Sequence, residues 1–257
     1  MSSTRQALED FLAANPDDLA AHSAYADWLT ENNDPRGEYI RLQLALEDRN
    51  QPADRLRAME QAAFTLHQRY EQEWLGPFYQ YIYSLEKRKY QAEPVEPEAD
   101  LRYRRGWIHE IETWTPLDEF WAALAATNLS RLICVLNVLT APTLRTVQLL
   151  GWLKFKADFP NLQHLRINTD FFNDEHIDQL LESRVLDQLR VLDLSGCPIT
   201  DDGALALARD PAVRKLKFLN LQGNLISPIG MEALAAIGVI VGQQDLGNQF
   251  DDSSYEV

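Results

Sequence analysis

Apolar and polar residues follow two different rhythms along this chain, and the change falls near residue 102. Over the first 90 residues the apolar positions recur at steps of three and four, the spacing of one helical face. Residues 4–14 make one such helix, with Thr4 as its cap, Leu8, Phe11 and Leu12 on a shared face, and Asn15-Pro16 as its stop. A second starts at Asp17 and Asp18 and carries Ala21, Tyr25, Trp28 and Leu29. After a turn at Asn32-Asn33, Asp34-Pro35 opens a third, with Ile40 and Leu44 on one stripe and Tyr39, Leu42 and Leu46 beside it. The fourth, residues 52–75, has Leu56, Met59, Ala63, Leu66 and Tyr70 along a seam too short for an independent coiled coil. It is expected to pack on the preceding helices.

The second rhythm is a sentence of residues written twice. Leu189, Leu192, Leu194, Cys197, Ile199, Thr200 and Gly203 reappear as Leu216, Leu219, Leu221, Asn224, Ile226, Ser227 and Gly230, at an offset of 27 throughout. One step of 27 earlier stands a weaker copy, Leu162, Leu165, Ile167 and Asp170. Alternation around Leu192 and Leu194 predicts a short strand with leucines on one face and polar residues on the other. Cys197 and Asn224 fall where the chain turns off the strand and needs a small group to meet backbone N–H and C=O groups, whereas Asp170 can only accept. Thr200 with Asp201, and Ser227 ahead of Pro228, have the form of helix N-caps. Leu205 and Leu207, then Met231 and Leu234, are expected to cover the sheet from the helix side.

This spacing resembles the leucine-rich repeat, in its ribonuclease-inhibitor type, where a helix backs each strand. The fold class expected is therefore α/β: a short right-handed leucine-rich-repeat solenoid, parallel sheet inside and helices outside, preceded by an all-α module. Residues 107–112 read as an entry strand, 117–126 as a helix, 132–139 as a strand and 144–155 as a helix, a degenerate copy ahead of the clear ones. Residues 239–241 suit a last strand, and the polar, acidic tail from 243 suits either a cap for the open end or a frayed terminus.

A second resemblance lies in the helical part. The segment YADWLTENNDPRGEYIRLQLAL, residues 25–46, is similar to the signature of a small bacterial module, the repeat-companion domain, which usually precedes leucine-rich repeats. Glu73-Trp74-Leu75-Gly76-Pro77 resembles the close of its last helix, and Arg104-Arg105-Gly106-Trp107-Ile108 the strand that begins the solenoid. Asn32-Asn33 departs from its usual charged, Gly-containing turn, and 78–100 does not align. The resemblance implies no catalysis and no fixed ligand; it implies an architecture and protein binding. The expected organisation is thus a helical repeat-companion domain over 1–90, an acidic Pro/Glu linker over 91–100, and the solenoid with its C-terminal tail over 101–257. Asp27, Trp28, Asp34, Pro35, Arg36, Glu38 and Arg41 could converge as a ligand pocket. Alternatively Trp28 fills a helix junction, Asp34 caps, and Arg36 or Arg41 pairs with Asp27 or Glu38, and capping plus a buried corner already accounts for the spacing.

Charge narrows the partners. With 39 acidic against 24 basic residues the formal net charge is −15, which argues against a phosphate-backbone binder. The basic clusters at 87–89 and at Arg102, Arg104 and Arg105 are expected to be solvated and partly neutralised by Glu93, Glu96 and Glu98. Two cysteines, Cys134 and Cys197, without a C-x-x-C spacing fit a reduced setting. The N-terminus lacks a signal-peptide pattern and no window approaches a membrane span, so a cytoplasmic protein with neither nucleic-acid nor membrane partner is expected.

Catalytic chemistry is not written here. The five histidines stand singly, and no metalloprotease, nucleophile-elbow, P-loop or dinucleotide motif occurs. Cys197 holds an interior repeat position, and Asp201-Asp202 begins a helix where carboxylates serve capping. No cofactor, metal or enzymatic activity is expected. What remains is a surface. If the leucines point inward, the residues between them line the concave face, stacked by the 27-residue offset into columns: His164, Val191, Phe218; Arg166, Asp193, Asn220; Asn168, Ser195, Gln222. Phe218 is the aromatic among them, the type of rigid anchor found at binding hot spots, and Arg166 and Asp193 form either a cross-strand pair or partner contacts. The expected function is non-catalytic recognition of a protein on that face. The alternative is an accessory subunit whose helical module docks on a larger assembly.

Overall fold

The computed structural model describes residues 3–83, 99–114, 118–139 and 159–237. These fall into two compact units, one running to Leu136 and including 159–162, the other comprising 137–139 and 163 onward. The helix expected over 144–155, the strand at 239–241, the tail from 243, the 87–89 cluster and residues 91–98 lie outside the described residues.

In the first unit, α1 (Ser3–Ala14), α2 (Leu19–Glu31), α3 (Arg36–Glu47) and α4 (Ala53–Leu75) follow the apolar stripes. The Asp18 carboxylate accepts the Ala21 N–H at 3.0 Å, and the Asp34 carboxylate accepts the Arg36 N–H at 2.9 Å, so both aspartates meet orphan donors at helix starts. Gly76, at φ 53°, closes α4, and a short turn leads into α5 (Tyr79–Tyr83). Leu12, Tyr25, Ala26, Leu29 and Ile40 form a buried cluster that also contains Trp107 and Leu132.

Trp107 belongs to a feature that the sequence reading did not contain. β1 (Ala99–Arg104) and β2 (Trp107–Thr113) pair antiparallel around the two-residue loop Arg105-Gly106. Both loop residues have positive φ, 51° and 79°, as a tight primed hairpin turn requires. The strand expected at 107 is β2, which stands next to the strand Val135–Leu139 in the sheet order, whereas Ala99-Asp100, expected to close a linker, belong to its hairpin partner β1. The helix expected at 117–126 is α6 (Asp118–Ala125), whose Phe120 packs on Phe78 with ring centroids 5.1 Å apart. A single 3-10 turn (Leu129–Leu132) then precedes β3 (Val135–Leu139), three residues shorter at its start than the apolar pattern suggested.

The second unit carries the repeats. β4 (His164–Asn168), β5 (Val191–Asp193) and β6 (Phe218–Asn220) are parallel, and the register pairs Leu165 with Leu192 and Leu192 with Leu219, one repeat apart each time. α7 (Asp174–Glu182), α8 (Asp201–Arg209) and α9 (Pro228–Ala235) follow the strands. Ile177, Leu180, Ala204, Leu207 and Leu234 on the helices are buried, as are Leu165, Ile167, Leu192, Leu194, Leu219 and Leu221 on and beside the strands. Leu205 and Met231, expected among the covering residues, are only half-buried: the inward positions go to Ala204, Leu207 and Ala208 in α8 and to Gly230 and Leu234 in α9. The turn residues act as their chemistry allows: the Asn224 amide donates to Leu194 and Leu221 carbonyls at 2.8 Å each, and the Cys197 thiol donates to the Ile167 carbonyl at 3.3 Å.

Successive repeats are also stapled through their helix caps. The Asp174 carboxylate at the start of α7 accepts the Thr200 N–H (2.9 Å), the Thr200 hydroxyl (2.6 Å) and the Gly203 N–H (3.2 Å). Asp201 repeats this on Ser227 (2.9 and 2.6 Å) and Gly230 (3.2 Å). Gly203 and Gly230 are glycines because a Cβ there would collide with the stapling carboxylate. The ladder stops at the next step of 27, which is Pro228.

The hydrogen bonds from Ser227, then that from Gly230, hold the Asp201 carboxyl below its ordinary pKa. A folded value below the unfolded one means stability that is complete above the unfolded pKa and lost as pH falls through the folded one. In urea denaturation, the stability gap between the native chain and Asp201→Ala is therefore expected to be full at neutral pH and to shrink below about pH 4. A gap that stays constant into acid would show that the ionised carboxylate contributes nothing.

Candidate interaction face

The strand register sets the expected columns in place. His164 pairs with Val191 and Val191 with Phe218; Arg166 pairs with Asp193 and Asp193 with Asn220. In the third column the Asn168 amide donates to the Ser195 carbonyl at 2.8 Å, and the Gly196 N–H donates to the Gln222 carbonyl at 2.8 Å. All nine residues thus share the strand face and its exit.

Their availability differs along each column. Asp193 and Asn220, expected on the open face, are only 3% and 5% exposed. The Asp193 carboxylate accepts the Ser195 N–H at 2.9 Å and Asn220 accepts the Gln222 N–H at 3.1 Å, so each uses its side chain to shape the backbone leaving its own strand. The sequence signal was an Asx residue at the last strand position, which suits such a turn as well as it suits a surface contact. Arg166 is 38% exposed and its Nε lies 3.7 Å from an Asp193 oxygen, so the pair foreseen between them exists. Phe218, expected to be fully outward, is half-buried, as are Val191 and His164; only Gln222 is freely exposed.

The other candidates have structural roles. Arg41 pairs with Asp27 at 2.8 Å and with Glu38 at 3.7 Å. Trp28 packs at the edge of the helical core, and Tyr25 stacks between it and Trp107 at centroid distances of 6.3 and 5.6 Å. Among the described residues Arg36 has no acidic partner: it donates to the Gly106 carbonyl at 2.9 and 2.7 Å with its guanidinium 4.4 Å from the Trp107 ring. The signature therefore reads as a joint between helices and hairpin. Arg105, expected to be solvated, is buried and grips Glu47 through two bonds of 2.7 and 3.0 Å. Burial raises the Cys197 thiol to about 11, the protonated and unreactive form at neutral pH. Among the described residues no three His, Cys, Asp or Glu side chains are placed to hold a metal, and no helix is long and apolar enough to cross a membrane.

A family model described as Leucine Rich repeat matches residues 189–208 and 214–235, the two copies that contain β5 with α8 and β6 with α9. These segments are leucine-rich repeats, a class that generally mediates protein–protein interaction and is generally non-catalytic. No curated protein matches the chain.

Proposed function

We propose that this chain is a non-catalytic recognition scaffold that binds a protein partner on the strand face of its repeats, centred on Phe218. The single observation that carries the reading is the register Val191–Phe218 beside His164: apolar side chains of adjoining rungs lie half-open on the same face. Arg166 lies at the margin of the patch and is oriented by Asp193, which has its own turn to hold; Asn168, Ser195, Asn220 and Gln222 complete the rim. The repeats read as the ribonuclease-inhibitor type, and the helices over 1–90, ahead of β1, as a bacterial repeat-companion domain. The whole is read as a cytoplasmic chain working without cofactor, nucleic acid or membrane.

Phe218→Ala is expected to weaken partner binding by about 2 kcal/mol or more while changing the melting temperature little, because the ring is only half inside the fold. Affinity capture on the native chain followed by mass spectrometry supplies the partner. Calorimetric titration of both forms then decides: unchanged affinity, or a collapse of the fold in place of binding, removes Phe218 from the site.

A further inference from the structure

Most acidic residues of the repeats, Asp174, Glu175, Asp178, Glu182, Asp201 and Asp202, belong to α7 and α8, which also carry Arg209. The exposed cations Arg190, Arg214, Lys215 and Lys217 instead lie in the turns that lead into β5 and β6, beside Asp187 and Asp210. Arg190 and Lys217 immediately precede Val191 and Phe218. The Arg190 N–H donates to the Gln163 carbonyl and the Lys217 N–H to the Arg190 carbonyl, each at 2.7 Å, so the two cationic residues occupy adjoining rungs. Lys215 has Asp187 at 3.7 Å, but among the described residues Arg190, Arg214 and Lys217 form no ion pair. Unneutralised like charges on neighbouring rungs repel each other, and a chain of net charge −15 has no need of them for solubility.

The geometry points to a partner segment that is acidic and carries one apolar anchor: its carboxylates meet Arg190, Lys217 and Arg214, and its anchor meets Phe218 and Val191. This rests on the proposed reading of the strand face and names the chemistry it recognises. The overall negative charge does not oppose it, since repulsion beyond about 8 Å is screened at physiological salt while the local pairs form inside that distance. A nucleic acid fits less well, because its backbone needs a continuous positive track and these few cations border an apolar patch in an acidic molecule.

The test is selection of short peptides from a random display library on the full chain, followed by fluorescence polarisation with the selected peptides and with an oligodeoxythymidylate as comparator. Native chain, Arg190→Glu/Lys217→Glu and Phe218→Ala are compared at low and high salt, with circular dichroism confirming the fold; both reversed residues are exposed, so the fold should hold. The expected peptides are richer in Asp and Glu than the library, contain an aromatic or aliphatic residue, bind more weakly at high salt, and lose about tenfold or more affinity on the double reversal. Peptides no more acidic than the library yet still lost on Phe218→Ala would overturn the charge inference and leave the face intact. Acidic peptides indifferent to both variants would remove the face and the inference together. Failure to select any peptide, or tighter binding of the oligonucleotide than of every peptide, also overturns it.

Discussion

Leu194→Ala and Leu221→Ala are each expected to lower the unfolding free energy by about 2–5 kcal/mol, the range of core truncations that leave a cavity. The two leucines sit at the same position of adjacent repeats and are 0% and 5% exposed. Neither has a surface to relax toward, because β5 and β6 are tied into one parallel register and the Leu194 N–H donates to the Asn220 carbonyl at 2.9 Å. Repeats lean on their neighbours, so the loss should spread along the array. Hydrogen exchange on Leu221→Ala should show faster exchange through 191–220, with helices α1 to α3 unaffected. Chemical denaturation with losses under about 1 kcal/mol at both positions would contradict the burial of this register.

Gly106→Ala is expected to cost about 3 kcal/mol, from two sources. At φ 79° the new residue pays the left-handed backbone penalty of roughly 1–2 kcal/mol, and its methyl would run into the Ile40 side chain, adding an overpacking cost of about 1–3 kcal/mol. Gly106 is also a hydrogen-bonding hub: its N–H donates to the Gln43 side chain at 2.5 Å and its carbonyl receives Arg36. Gly106→Ala in an Ile40→Ala background separates the two sources, because the methyl meets the outer atoms of Ile40 and makes only ordinary contact with its Cβ. There it should lose only the backbone part, about 1–2 kcal/mol. Equal losses in the two backgrounds in urea would mean that Ile40 moves aside and that the close approach carries no stability.

Both results bear on how much the sequence exposes. The repeat offset was enough to pair Leu192 with Leu219 on adjoining rungs, and Thr200 and Ser227 were legible as caps, each accepting the N–H two residues on at 3.3 and 3.2 Å. The staple was missed. Asp174 and Asp201 recur at the repeat spacing, as do their glycine partners at 203 and 230, and that double recurrence was available to be read. The recurrence alone does not reveal the staple, because an aspartate in the first turn of a helix is satisfied by its own helix as readily as by the next. The hairpin at Arg105-Gly106 was missed because the usual Asn-Gly or Asp-Gly signal is absent and the preceding Pro/Glu stretch suggested a loop. For the candidate site, the columns were legible and the accessibility of their members was not.

Strand direction, repeat register and helix starts were determined by the sequence itself, because each depends on residues a few positions apart or on a period that the chain writes out twice. Tertiary structure decided which polar groups remain free. Arg105 is solvated or buried according to whether Glu47, 58 positions away, reaches it. Asp193 faces a partner or its own backbone according to a turn that the residue type permits either way. Such choices depend on which donor arrives within about 3 Å, and the order of residues along a chain does not contain that distance.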